Sequence, residues 1–162
     1  MSQVEHDLCE LLATKATELF SAYDVKCSKS EAPISDEQLC GILGFTGDQM
    51  CGSVVITATA DAITCSNPIG DGVTRSWIAE LTNQLVGRFK NELLRHAVDI
   101  TMSVPVVLTA TRLVPLPHRA IRPIQLAVGS GTMTIWLEIE GTPKLQACVE
   151  DQVASEGEAF LF

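Results

Sequence analysis

The stretch Ser76-Trp-Ile-Ala-Glu80-Leu-Thr-Asn83-Gln-Leu-Val-Gly87-Arg-Phe-Lys90 leaves this chain the fewest folding options. On a helical wheel at about 100° per residue, Ile78, Leu85, Phe89 and Leu93 fall in one arc, joined by Val86. Ser76, Glu80, Asn83, Gly87, Lys90 and Asn91 fall in the opposite arc. The periodicity predicts an amphipathic helix over about 74–96, capped by Thr74 or an upstream neighbour. Its apolar arc must face a sheet.

The flanking segments supply that sheet. Val4, Leu8, Leu11, Leu12, Ala16, Leu19, Phe20 and Tyr23 recur at spacings of three and four and predict a helix over about 3–23. The stretch Ser28–Pro33 reads as a loop or the start of an extended segment. Leu39–Phe45 and Ser53–Thr57 flank Thr46-Gly47-Asp48-Gln49 and predict a β-hairpin. The glycines on either side suggest a turn plus a bulge. Asp61–Thr74 reads as turns, following a short helix at most. Val98–Ala110 is rich in β-branched residues, and Pro105 there implies a bulge or an edge position. Arg112–Arg119 is an irregular Pro-rich connection. Ile121–Val128 and Met133–Ile139 flank Gly129-Ser130-Gly131 and predict a second hairpin. The acidic tail, 142–162, ends in the apolar Ala159-Phe160-Leu161-Phe162.

Strands joined by short turns imply a mainly antiparallel sheet packed against two long helices, an α+β fold. The 162 residues suit one domain, and no linker interrupts them. A formal net charge of -9 repels a polyanion, so nucleic acid is not an expected partner. No apolar run reaches the roughly 20 residues of a membrane span. The first residues, Met1-Ser2-Gln3-Val4-Glu5, do not read as a signal peptide, so the expected location is the cytoplasm. Cysteines 9, 27, 40, 51, 65 and 148 form no Cys-x-x-Cys pair and read as small buried hydrophobes. His6, His96 and His118 carry no motif.

A solvated face is the ordinary reading of a polar helical stripe. Two details point past it. Gly87 lies mid-stripe, where Gly costs roughly 1 kcal/mol relative to Ala. A solvated face gains nothing from that glycine, whereas a face approached closely by another protein does. Glu80 and Asn83 are three residues apart and project side by side. One is an anionic acceptor for a lysine, and the other an amide that both donates to and accepts from water. Together they suit docking a partner and aiming a water at it.

Ser76-x-x-x-Glu80-x-x-Asn83, followed by Gly87 and Lys90, resembles the signature helix of the CheC/CheX/FliY chemotaxis phosphatases. The resemblance extends to the hairpin from Gly44-Phe45-Thr46-Gly47 to Gly52-Ser53-Val54-Val55 and to the strand Ile100–Val107 with its Ser103-x-Pro105. These segments span about residues 38–140. Glu5, Glu10 and Glu18 are followed three residues later by Leu8, Ala13 and Ser21, so the first helix has no such pair. That favours the single-site CheX branch over types with two signature helices. The short helix before the signature, the Pro-rich stretch 112–123 and the acidic tail are poorly matched.

The resemblance implies a CheC-like fold and hydrolysis of the aspartyl phosphate of a CheY-type response regulator. It gives Glu80 a regulator lysine to hold and Asn83 a water to orient. Ser76, Gly87 and Lys90 become partner-binding positions. It implies that this chain binds no metal and that the regulator brings the Mg²⁺. It also implies a homodimer. The competing readings are a non-catalytic binding module or flagellar-switch-like scaffold on the same fold, and an unrelated small-ligand-binding domain.

Overall fold

Helix α1 (Gln3–Ala22) opens on a capping box: the Ser2 hydroxyl accepts from the Glu5 amide, and the Glu5 carboxylate accepts from the Ser2 amide. The computed structural model describes residues 2–31, 37–70, 74–111, 113 and 122–146. Strands β1 (Cys27–Lys29), β2 (Glu37–Thr46) and β3 (Met50–Ala58) follow α1, and then a short helix α2 (Ala60–Ser66). Helix α3 (Thr74–Arg95) leads into β4 (Thr101–Met102), β5 (Val106–Thr111), β6 (Ile124–Val128) and β7 (Gly131–Gly141).

The strands form one seven-stranded sheet in the order β1-β6-β7-β3-β2-β4, with β5 also on β2, and all its pairings are antiparallel. The α+β class and the antiparallel sheet agree with the sequence reading. Both expected hairpins form. The second is tighter than expected, since Val128 pairs directly with Gly131 across Gly129-Ser130. Gly129 takes φ 56°, a backbone state that glycine adopts without steric cost.

Two readings are corrected. The β2–β3 ladder runs unbroken from Leu39↔Ala58 to Thr46↔Cys51, so that hairpin holds no bulge in its paired length. The extra residue lies instead between β4 and β5: Leu43 and Gly44 of β2 face Ser103, Val104 and Pro105. Pro105 has no N–H to give a ladder, and the strand gives way beside it. The short helix that the turns of Asp61–Thr74 were read as following is present as α2, capped by the Thr59 hydroxyl. The cysteines are not uniformly buried: Cys40 is, Cys9 and Cys27 are half-buried, and Cys51 and Cys65 are exposed. Composition alone does not say on which side of an element a cysteine stands. Cys148 and His118 lie outside the described residues.

Ser28–Lys29, read as a loop or an incipient extended segment, belongs to β1, paired with β6. Of the tail, residues 142–146 dock on the body. The Gln146 amide donates to the His96 carbonyl and the Lys144 amide to Gln49 Oε1, and Leu145 packs on the core. The expectations for the Pro-rich connection and for Ala159–Phe162 fall outside the described residues.

The core lies between the helices and one face of the sheet. Leu8, Leu12, Leu19 and Phe20 of α1 meet Ile78, Leu81, Leu85, Val86, Phe89 and Leu93 of α3 over Leu43, Val54, Ile56 and Ile135. Fully burying one such side chain stabilises by about 1.5–3 kcal/mol. The α3 set therefore outweighs the roughly 1 kcal/mol cost of Gly87 and fixes the roll of the helix. Gly41 sets its depth: a Cβ there would collide with the buried Thr82 hydroxyl, which donates to the Ile78 carbonyl at 2.7 Å. The ion pair Lys15–Glu92, 3.1 Å, joins α1 to α3.

Candidate functional site

The roll of α3 carries Ser76, Glu80 and Asn83 outward, and all three are exposed. Their residue types do not force this. It follows from Trp77, Ile78, Leu81 and Thr82, the buried neighbours on either side. Gly87 continues the same face one turn beyond Asn83, and a Cβ placed there would meet no described atom within 4 Å. No packing within the described structure calls for a glycine at 87. Lys90 stands farther along, half-buried, with its ammonium 3.9 Å from the Asp99 carboxylate. That distance is a loose ion pair, and the side chain leans toward the α3–β4 link rather than toward Asn83.

The second wall of the site comes from the bulge between β4 and β5. The Ser103 amide donates to the Gly44 carbonyl at 2.9 Å, and the Ser103 hydroxyl accepts from the Gly44 amide at 3.0 Å. This two-way clasp replaces the ladder bonds the bulge interrupts. It leaves Val104 pushed out of the sheet, 82% exposed. Ser76, Ala79, Glu80 and Asn83 on the helix and Ser103, Val104 and Pro105 on the bulge line an open groove of about 480 Å³. The bulge residues are site components the sequence reading did not assign. The available signal was Pro105 inside a β-branched run, which marked an irregularity but not what it would face.

The two central side chains differ in commitment. Glu80 Oε1 accepts from Gln84 Nε2 at 2.6 Å. The Asn83 amide makes no hydrogen bond with any described residue. Glu80 is therefore held through one oxygen, whereas Asn83 is held by no described residue. Chemically the groove offers a fixed anion beside an unsatisfied amide on a rigid helix. Among the described residues no three His, Cys, Asp or Glu side chains are grouped so as to hold a metal ion. No described helix is long and apolar enough to cross a membrane.

No protein-family model matches the chain, and no curated protein matches it. Solved structures do. A CheC-like superfamily protein from Shewanella sp. PV-4 superposes with a TM-score of 0.66 at 20% identity, over 87% of this chain and 100% of that one. The chain has the CheC-like fold. The chemotaxis protein CheX from Vibrio vulnificus gives a TM-score of 0.68 at 18% identity, over 83% of this chain and 99% of that one. A chain of the CheX–CheY–BeF₃–Mg²⁺ complex from Borrelia burgdorferi gives 0.58 at 13% identity, over 82% of this chain and 97% of that one. The CheC-like fold thus spans nearly the whole length of each of these proteins. In this chain it presents Glu80 and Asn83 on α3, the helix that crosses the sheet face.

Proposed function

We propose that this chain is a phosphatase of a CheY-type response regulator, acting on its aspartyl phosphate. The observation that carries the reading is the pairing of an exposed, tethered Glu80 with an exposed, uncommitted Asn83 in one groove. The CheC-like fold supports it, as does the Borrelia burgdorferi structure in which a CheX is combined with CheY.

In this reading α3 docks across the regulator's phosphorylation site, and the open surface at Gly87 lets the backbones approach. Glu80 accepts from a regulator lysine and fixes the register. The Asn83 carboxamide enters the site, with its oxygen accepting from the attacking water and its nitrogen free to donate. The water oxygen bonds to phosphorus as the bond to the aspartyl oxygen breaks, releasing inorganic phosphate and the free carboxylate. Phosphoryl transfer needs chiefly positioning and charge neutralisation. The regulator brings Mg²⁺ for the charge. What remains for this chain is placing one water, and one amide suffices for that.

We also propose that the working unit is a homodimer. The apolar Val106 and Leu108, 55% and 42% exposed on β5, support an association through that side of the sheet.

The test adds the purified protein to a phosphorylated CheY-type regulator with Mg²⁺ and follows phosphate release. Faster decay is expected. Binding with an unchanged phosphate lifetime would overturn the phosphatase reading and leave a docking scaffold.

A further inference from the structure

Glu80 is exposed, yet it is the last member of a hydrogen-bonded chain that starts at the half-buried Tyr23. Gln84 Nε2 donates to Glu80 Oε1 at 2.6 Å, and Gln84 Oε1 accepts from the Tyr23 hydroxyl at 2.7 Å. The order of the chain is forced by chemistry. An ionised carboxylate only accepts, so the amide nitrogen must face Glu80, the amide oxygen must face Tyr23, and the hydroxyl must donate.

Tyr23 is itself held. It is the C-cap of α1, in a turn where the Val25 amide donates to the Phe20 carbonyl and the Asp24 amide to the Ser21 carbonyl. Its ring meets Trp77 edge to face, with centroids 5.1 Å apart and planes at 87°. The Trp77 indole N–H donates to Ser66 Oγ at 3.0 Å, and Ser66 Oγ donates to the Ala62 carbonyl at 2.8 Å. The Tyr23 that bonds the Gln84 amide is thus braced by Trp77 of α3, which is itself tied to Ser66 of α2.

We propose that Tyr23 and Gln84 are positioning residues that hold the Glu80 carboxylate in its docking orientation before a partner arrives. This rests on the reading of Glu80 as the docking carboxylate. A bond between side chains four residues apart on one helix is common and weak. What sets this one apart is the second anchor, supplied by a residue 61 positions away on another helix. A carboxylate whose rotamer is already selected loses less freedom on docking, and that saving appears as affinity. The Asn83 amide lies outside the chain, so the relay acts on binding and not on the chemical step.

The test measures binding of a CheY-type regulator loaded with BeF₃ and Mg²⁺, together with phosphate release at saturating protein. Tyr23→Phe keeps the ring against Trp77 and deletes only the hydroxyl. Gln84→Ala deletes the amide. Each should weaken binding about three- to tenfold and leave the saturated rate unchanged. In a Glu80→Ala background neither should weaken binding further, because the group they position is gone. An effect of Tyr23→Phe that persists at full size in that background would mean general structural damage and overturn the proposal. So would a Glu80→Ala that weakens binding while Tyr23→Phe and Gln84→Ala do not. A Glu80→Ala with no effect on binding would instead remove the docking role of Glu80, and the relay would lose its purpose.

Discussion

The Thr82 hydroxyl occupies the space that a Cβ on residue 41 would need, so Gly41 and Thr82 together set how deeply α3 sits on the sheet. Gly41→Ala forces the helix outward or Thr82 off its rotamer. Overpacking of this kind costs about 1–3 kcal/mol, and the loss should be read from urea unfolding. Adding Thr82→Ala should return part of it, since the colliding oxygen is removed.

The division of labour between Asn83 and Glu80 predicts opposite kinetic signatures. Asn83→Ala should slow regulator dephosphorylation on the order of 100-fold, as expected when a water loses its alignment, with binding little changed. Glu80→Ala should raise the protein concentration needed for half-maximal rate, because a charged contact is lost. Titrating the protein against phosphate release separates the two.

Gly87 and Val104 define the reach of the docking surface. Gly87→Leu should raise the unfolding free energy by up to about 1 kcal/mol through helix propensity, and should still weaken regulator binding by blocking close approach. Val104→Ser should weaken binding with no loss of stability, since the side chain is 82% exposed. Unchanged affinity in both variants, measured by titration, would place the partner elsewhere.

Glu92 links acid sensitivity to the α1–α3 joint. Burial opposes its ionisation, but Lys15 and Arg95 outweigh that and hold the carboxyl below its ordinary value. A depressed folded pKa stabilises fully above the unfolded value near 4.5 and is lost as pH falls through the folded value. Glu92→Gln should therefore cost about 1–2 kcal/mol at neutral pH. The difference from wild type should close as acidification passes below the ordinary carboxylate value and through the depressed folded one, as followed by urea unfolding at each pH.

Ala97 stands at φ 59° after α3, where the Val98 amide returns to the Leu93 carbonyl. That conformation costs a residue with a Cβ about 1–2 kcal/mol, partly offset in a glycine variant by its freer unfolded chain. Ala97→Gly should gain about 0.5–1 kcal/mol and raise Tm by roughly 1–4 °C in a thermal melt.

The local elements were readable because their signals are local. The period of Ile78, Leu85, Phe89 and Leu93 is a property of one helix, and it turned Glu80 and Asn83 outward before any neighbour was known. The turn residues marked both hairpins for the same reason. Glycine and proline both announce irregular backbone: the bulge or edge that Pro105 implied is there, the one suggested by the glycines of the first hairpin is not, and only the register separates the two. Strand β1 was left between a loop and the start of an extended segment because three residues carry too little alternation to be seen without their partner β6.

By itself, then, the sequence determined the two long helices, the two hairpins, the α+β class and which side chains α3 turns away from the core. Tertiary structure alone decided the strand order, with β7 between β3 and β6, the placement of Val104 across from Glu80 and Asn83, and the tie from Tyr23 through Gln84 to Glu80. The physical reason is range. Periodicity is written within a few residues, whereas a groove wall and a hydrogen-bond relay exist only where segments distant in the chain are brought together.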